Sequence, residues 1–173
     1  HILGGPEVSL KRLALTPELR LADYCVIGEG ERILLNLMKY LIGKNNFSAP
    51  KIPRGVVFNL SGRLEYAPNT DRIAKLDEIP SIYLNAVIED RLYERQQAFI
   101  ETQRGCPYKC KYCVYHKNLA TISFYSLERI YRELEYLIIQ KQVWALRIFD
   151  SIFTSDIRRA KNIVRYLVKL KEN

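Results

Sequence analysis

Glycine, proline and cysteine are all scarce in this sequence, and their scarcity excludes several classes of protein. Among 173 residues there are 8 Gly, 7 Pro and 4 Cys, against 48% hydrophobic and 27% charged residues. This composition is globular and excludes a disordered chain, a low-complexity chain and a disulfide-rich secreted scaffold. The most apolar stretches, residues 34–42 and 136–149, contain polar side chains and fall short of the roughly 20 residues that span a bilayer. We therefore predict no membrane segment and no membrane partner.

The start of the chain lacks both an initiating methionine and a targeting signal. Its first residues have neither the basic start nor the long apolar run of a signal peptide. Because the chain opens at His1 and passes directly into an apolar segment ending in Gly4 and Gly5, we expect a fragment of a longer protein. So few cysteines in a chain without a secretion signal favour a reducing compartment, and we predict a cytoplasmic location.

Positive charge is concentrated in the second part of the sequence. Residues 1–103 contain 13 Lys and Arg against 13 Asp and Glu, whereas residues 104–173 contain 14 against 6, so the whole net charge of +8 lies there. Nucleic acid, an anionic small molecule or an anionic cofactor would each suit such a basic half. Tyr108, Tyr112 and Tyr115 alternate with lysines as base-stacking residues do, but a solvated loop explains the same residues and is our preferred interpretation.

The first 43 residues alternate between strand and helix patterns, which is typical of an α/β fold. Thr16 followed by Pro17 predicts a helix start, with the hydroxyl as cap. Residues 23–27 predict a short buried strand, in which Cys25 is expected to be a small core residue without a functional role. Apolar residues at helical spacing over 32–41 predict a helix after it.

The remainder of the chain divides into a linker and a second alternating part. Residues 44–97 predict a linker whose only regular structure is a hairpin over 56–66 with Ser61-Gly62 at its turn. Residues 98–173 predict two βα units, with strands over 98–103 and 144–149. Their amphipathic helices are predicted to begin at Ser126 and Asp156.

Three of the four cysteines stand in a CxxxCxxC arrangement directly after the first strand of the second part: Cys106, Cys110 and Cys113. Loops at the carboxyl ends of strands in βα folds hold cofactors, and such crowding favours metal ligation over cross-linking. A 4Fe-4S cluster normally takes four thiolates, so three would leave one iron open to a small molecule carrying an amine and a carboxylate. A zinc site completed by His116 is the alternative, in a zinc-stabilised nucleic-acid-binding module.

At these residues the sequence resembles the radical S-adenosylmethionine (radical SAM) superfamily, whose CxxxCx-aromatic-C motif lies in the first βα loop of a partial TIM barrel. Tyr112 occupies the aromatic position. The resemblance implies that the three cysteines hold the cluster, that SAM binds the open iron, and that reduction of SAM yields a 5′-deoxyadenosyl radical. It also implies an electron donor such as flavodoxin or ferredoxin, and leaves the substrate, a small molecule or a peptide, unidentified.

One branch of that superfamily, which carries a cobalamin-binding domain, shares further segments with this chain: Gly4-Gly5-Pro6, Gly28 to Glu31 and Leu76 to Ser81. The implied fold is the end of a doubly wound, Rossmann-like cobalamin domain followed by the first βα units of a partial TIM barrel. Gly4 and Gly5 would admit the cobalamin nucleotide tail. Asp150 stands where other members have Gly-Gly-Glu and is either a polar cofactor contact or a helix-capping or loop residue. The implied reaction is methyl transfer with cobalamin or another radical reaction; a radical SAM methylthiotransferase is the alternative within the enzyme class.

Overall fold

The computed structural model describes residues 1–43, 53–60, 63–68, 72–85, 97–113, 115 and 121–172. The chain divides into two compact units, His1–Ile73 and Ala74–Asn173. Strands and helices alternate in both. None of the described helices combines the length and apolar composition that crossing a bilayer requires.

The first unit contains a four-stranded sheet in the order β1-β2-β3-β4. Its elements are β1 (Ile2–Leu3), α1 (Leu10–Leu15), a 3-10 helix (Pro17–Leu21), β2 (Tyr24–Val26), α2 (Gly30–Gly43), β3 (Val56–Leu60) and β4 (Arg63–Tyr66). The β1 and β2 strands are parallel, and β3 and β4 add to β2 in antiparallel fashion. The predicted hairpin is confirmed, with Leu60 opposite Arg63. It also pairs with β2, so this sheet extends into the predicted linker.

Helices cover both faces of this sheet. Successive residues of a strand point to opposite sides, so apolar residues that follow one another in a strand pack against different helices. Cys25 packs on one face with Leu13 of α1, and it is a core residue with 3% of its surface exposed, as predicted. Its neighbour Val26 packs on the other face with Ile33 and Leu37 of α2. The hydrophobic pattern of the sequence therefore produces three layers here.

The capping predicted at Thr16 is wrong. Pro17 does begin a helix, but it is a short 3-10 helix, and the Thr16 side chain makes no capping hydrogen bond. The α-helix lies just before it, where the Ser9 side chain accepts a hydrogen bond from the Arg12 N–H. The prediction that Pro17 begins a helix is confirmed. The α-helix before it, α1, was not predicted, because six residues are too few to show a helical period.

The second unit is built around two parallel strands joined through a helix. Its elements are a 3-10 helix (Leu76–Glu78), β5 (Gln97–Ile100), β6 (Gln103–Arg104), β7 (Ser123–Phe124), α3 (Leu127–Glu135) with a π-helical turn (Tyr136–Gln140), β8 (Ala145–Ile148), a 3-10 helix (Phe153–Ser155) and α4 (Ile157–Glu172). The β5 and β8 strands pair with Phe99 opposite Arg147. The β6 and β7 strands form a separate antiparallel pair. The mixed α/β class is therefore confirmed.

Both predicted caps in the second unit are present. The Ser126 hydroxyl accepts from the Arg129 N–H at 3.2 Å, and the Asp156 carboxylate accepts from the Arg159 N–H at 3.0 Å. Asp77 adds to the first cap by accepting from the Ser126 N–H at 3.0 Å. The 3-10 helix that contains Asp77 is thus bonded to the start of α3.

A tyrosine hydroxyl binds β5 on the edge that faces away from β8, its only paired strand among the described residues. The Phe99 N–H donates to the Tyr83 hydroxyl at 3.3 Å, and that hydroxyl donates to the Phe99 carbonyl. The N–H and carbonyl of Phe99 both point away from β8. The next residue, Ile100, faces β8, where its carbonyl accepts from the Phe149 N–H. Tyr83 is 7% exposed and packs in the core of the unit beside Ala98 and Leu137. One side chain therefore satisfies two strand groups that would otherwise lack a partner.

We expect Tyr83→Phe to destabilise the second unit by about 1–3 kcal/mol, because two backbone groups lose their partner beside a buried ring. The measurement is the free energy of unfolding by chemical denaturation. Tyr108→Phe, at a side chain 59% exposed, is the control and should change that free energy by less than about 0.5 kcal/mol. Equal effects of the two substitutions would contradict the edge role.

Candidate functional site

The three clustered cysteines lie in a loop that follows β5 and the short β6. All three are free thiols and half-buried, which leaves them open to a ligand: Cys106, Cys110 and Cys113. The Cys113 N–H donates to the Cys110 carbonyl at 3.0 Å, so a tight turn holds the second and third cysteines together. His116, the predicted fourth ligand of the zinc alternative, lies outside the described residues.

The donor set has the chemistry of an iron-sulfur site. Three thiols free of disulfides lie on one stretch of eight residues, with exposed Lys109 and Lys111 among them. Within the described residues, no three Cys, His, Asp or Glu side chains already converge as ligands of a metal ion. Binding would therefore need the loop to draw its thiols together.

Tyr112, the predicted aromatic residue of the motif, is 90% exposed. The charge of the neighbouring Cys110 thiolate, together with a hydrogen bond to it, raises the pKa of the Tyr112 phenol. The ring thus lies beside the second and third cysteines and not in the core. Its contact with a cofactor stays a prediction.

Gly105, immediately before the first cysteine, occupies a conformation that only glycine accommodates. Its φ is +107°, and a Cβ placed on it would lie 2.1 Å from the carbonyl oxygen of Thr121. Its N–H donates to the Tyr115 hydroxyl at 3.2 Å, and its carbonyl accepts from the Ser151 hydroxyl at 2.6 Å. The backbone that enters the cysteine loop is therefore fixed on both sides.

Asp150, predicted as a cofactor contact, is bonded to the residues before the cysteine loop. One carboxylate oxygen accepts from the N–H groups of Thr102 at 2.7 Å and Gln103 at 3.2 Å, and the other accepts from the Thr102 hydroxyl. Burial raises the pKa of Asp150, while these hydrogen bonds act in the opposite direction. Asp150 therefore holds the backbone of Thr102 and Gln103. Its contact with a cofactor stays a prediction.

Gln103 is a buried polar residue that sequence reasoning missed. Only 1% of it is exposed, and its side chain donates to the Ile152 carbonyl at 2.5 Å and accepts from the Ser155 hydroxyl at 2.7 Å. Glutamine is rarely buried so completely, but nothing in the sequence pattern distinguishes this one from a surface glutamine. Its partners lie about fifty positions further along the chain.

Two arginines contact the loop entrance, which is the stretch of residues 101–105 that leads into Cys106. Arg159 of α4 donates to the carbonyls of Thr102 at 3.1 Å and Tyr125 at 2.7 Å. Arg104 pairs with Glu101 at 2.8 Å, with side-chain exposures of 12% and 31%. Each residue from 101 to 105 therefore has a defined partner.

Gly4 and Gly5 lie in the first unit, after β1. Gly5 has a φ of +102° and no atom within 4 Å of the place where a Cβ would stand, whereas a Cβ on Gly4 would contact Val26 at 3.7 Å. The backbone at Gly5 is thus open to close approach. A cofactor contact at these two glycines stays a prediction.

Comparison with known proteins identifies relatives at low identity. No family model matches the chain. It is 27% identical to the cobalamin-dependent radical SAM methyltransferase TokK of Streptomyces tokunonensis, over 78% of this chain and 21% of TokK. It is 26% identical, over the same shares, to the 2-(S-pantetheinyl)-carbapenam-3-carboxylate methyltransferase of Streptantibioticus cattleyicolor. The chain thus spans about a fifth of the length of the curated relatives it matches.

Solved structures show the same kinship in the fold. The radical S-adenosylmethionine methyltransferase TsrM of Kitasatospora setae, with cobalamin and a 4Fe-4S cluster bound, matches at a TM-score of 0.64 and 20% identity, over 99% of this chain and 34% of TsrM. OxsB, a cobalamin-dependent S-adenosylmethionine radical enzyme with aqua-cobalamin and S-adenosylmethionine bound, matches at 0.66 and 18%, over 98% of this chain and 24% of OxsB. By sequence and fold this chain is a relative of the cobalamin-dependent radical SAM enzymes, which confirms the resemblance indicated by its cysteine loop.

Proposed function

We propose that this chain is part of a cobalamin-dependent radical SAM methyltransferase, in which Cys106, Cys110 and Cys113 hold a 4Fe-4S cluster. The observation that carries the proposal is the set of three free thiols on one loop after β5, in a chain whose relatives are such methyltransferases. With these three protein ligands, one iron would be open to the amino and carboxylate groups of S-adenosylmethionine. Held there, the cluster would supply the electron for reductive cleavage of S-adenosylmethionine to methionine and a 5′-deoxyadenosyl radical, and cobalamin would supply methyl transfer.

The two units have separate tasks in this proposal. The first is the end of a doubly wound cobalamin domain, supported by a sheet with helices on both faces and by the open backbone at Gly5. The second is the start of a partial TIM barrel, supported by parallel β5 and β8 joined through α3. The cysteine loop then lies at the carboxyl ends of the strands, where enzymes of this architecture place their chemistry.

In this proposal the described residues of the loop and its surroundings position the cofactors. Residues 101–105 hold the backbone before the first cysteine, and Tyr112 lies beside the other two. The substrate is a small molecule or a peptide, and a flavodoxin or ferredoxin in a cytoplasmic setting is the proposed source of electrons. The relatives give no support to a methylthiotransferase or to a zinc-stabilised nucleic-acid module.

The test is metal and cofactor analysis of the full-length protein purified without oxygen. After reconstitution we expect about four irons and four sulfides per chain, a brown colour that bleaches on reduction, and an electron paramagnetic resonance spectrum that changes when S-adenosylmethionine is added. Cobalamin binding is followed by its visible absorbance in the same protein.

Stoichiometric zinc with no uptake of iron would overturn the radical SAM proposal. Iron binding without cobalamin binding would limit the chain to the radical SAM chemistry alone. A Cys25→Ala variant, altered in the core of the first unit, is the matched control and should take up as much iron as the wild type.

A further inference from the structure

Residues 150–159 hold the backbone that leads into Cys106, in addition to its pairing with β7 and the hydrogen bond from Gly105 to Tyr115. Asp150 accepts two N–H hydrogen bonds and one hydroxyl hydrogen bond from Thr102 and Gln103. Ser151 binds the Gly105 carbonyl, and Arg159 binds the Thr102 carbonyl. Since this segment follows β8, the neighbour of β5, it reaches the loop entrance from the adjacent strand.

The Gln103 side chain makes the same connection in the opposite direction. It reaches from the loop entrance to the Ile152 carbonyl and receives the Ser155 hydroxyl. Thr102 and Gln103 are each 1% exposed. Hydrogen bonds between buried polar groups restrict motion, so this connection restrains the backbone direction at the loop entrance.

The three cysteines differ in how they are held. Cys110 and Cys113 are tied to each other by a hydrogen bond inside the loop. Cys106, in contrast, follows directly on the held residues, one position after Gly105. The first ligand is therefore placed by the loop entrance and the other two by a turn of their own.

We propose that Asp150, assisted by Gln103 and Ser155, is a positioning residue that sets the direction of Cys106 as a cluster ligand. This rests on the proposed function of the loop as a cluster site. Asp150 acts through its hydrogen bonds to backbone, and its charge is not required at a cofactor. Partners that orient metal ligands from outside change metal affinity by about 10- to 100-fold when they are removed.

The test compares Asp150→Ala, Asp150→Asn and Asp156→Ala in the full-length protein, reconstituted without oxygen. Loss of iron to a chelator is measured as a rate, together with the paramagnetic resonance spectrum of the reduced cluster. Hydrogen exchange at the amides of Thr102 and Gln103 is measured in the same proteins without iron. Asp156 is the matched control because it caps α4 within the same segment through the backbone N–H of Arg159, whereas the contact with Thr102 is made by the Arg159 guanidinium.

We expect Asp150→Ala to lose iron about ten times faster than the wild type or more, with an altered spectrum and faster exchange at both amides. Asp150→Asn should stay close to the wild type, since its amide oxygen still accepts from the two N–H groups. Asp156→Ala should lower the melting temperature but leave the rate of iron loss and the spectrum unchanged.

Three outcomes would overturn the positioning role. Equal rates of iron loss in Asp150→Ala and Asp156→Ala would show that Asp150 affects the cluster only through the stability of the folded protein. An Asp150→Asn variant as defective as Asp150→Ala would show that the charge itself is needed at a cofactor. A wild-type protein that holds no iron would overturn the proposed function, and the positioning role with it, before any variant is compared.

Discussion

Replacing Cys106, Cys110 or Cys113 with alanine is expected to abolish stable binding of the cluster. Each substitution leaves two thiolates in the loop, and three protein ligands are already one fewer than a 4Fe-4S cluster normally takes. The expected iron content is close to zero for each variant, against about four per chain in the wild type. Iron-to-protein ratios and cluster absorbance of the single variants, prepared in parallel without oxygen, give the measurement.

Cys25→Ala separates a ligand from a core residue in that experiment. Cys25 is 3% exposed and packs among Val8, Leu13 and Val57, so its truncation should cost on the order of 1 kcal/mol of stability and no iron. Retention of the cluster by Cys110→Ala, together with its loss in Cys25→Ala, would show that the loop is not the cluster site. His116→Ala should retain iron, because the zinc alternative alone requires that side chain.

Gly105→Ala is expected to destabilise the second unit by about 3 kcal/mol or more, and to displace the cysteine loop. The new Cβ would stand 2.1 Å from the Thr121 carbonyl oxygen, which is backbone and cannot turn away as a flexible side chain would. Forced overpacking costs about 1–3 kcal/mol, and the left-handed φ adds about 1–2 kcal/mol for alanine. Chemical denaturation of the iron-free protein measures the loss, and iron uptake reports the displacement of the loop.

Gly28→Ala isolates the cost of the backbone conformation. Gly28 has a φ of +96°, and no atom lies within 4 Å of the position that a Cβ would occupy. Alanine there would strain the backbone but would not clash with a neighbouring atom. Its expected cost is about 1–2 kcal/mol. A Gly105→Ala variant no less stable than Gly28→Ala would mean that the chain relieves the contact with Thr121, and the loop entrance would then be more adaptable than its contacts indicate.

Local patterns predicted several of the elements, because the information lies within a few positions. The caps at Ser126 and Asp156 and the antiparallel pairing of β3 with β4 are of this kind. What each element packs against could not be predicted in the same way. The hairpin was expected within a linker, yet β3 pairs with β2, a contact between strands separated by all of α2.

The residues around the loop entrance show the same limit. The sequence predicted Asp150 as a cofactor contact, which stays a prediction, but its partners Thr102 and Gln103 lie 48 and 47 positions earlier. The approach of Gly105 to Thr121 depends on how the chain returns after the loop. Such contacts are set by tertiary packing, on which periodicity and capping rules are silent.

The hydroxyl of Tyr83 protects the second unit against unwanted strand pairing. It binds Phe99 on the edge of β5 that faces away from β8, and it comes from a residue that is synthesised earlier than the strand it binds. An exposed strand edge recruits any strand that fits, from the same molecule or from another. With Tyr83 in place, a strand of a neighbouring molecule could pair at Phe99 only by displacing the tyrosine.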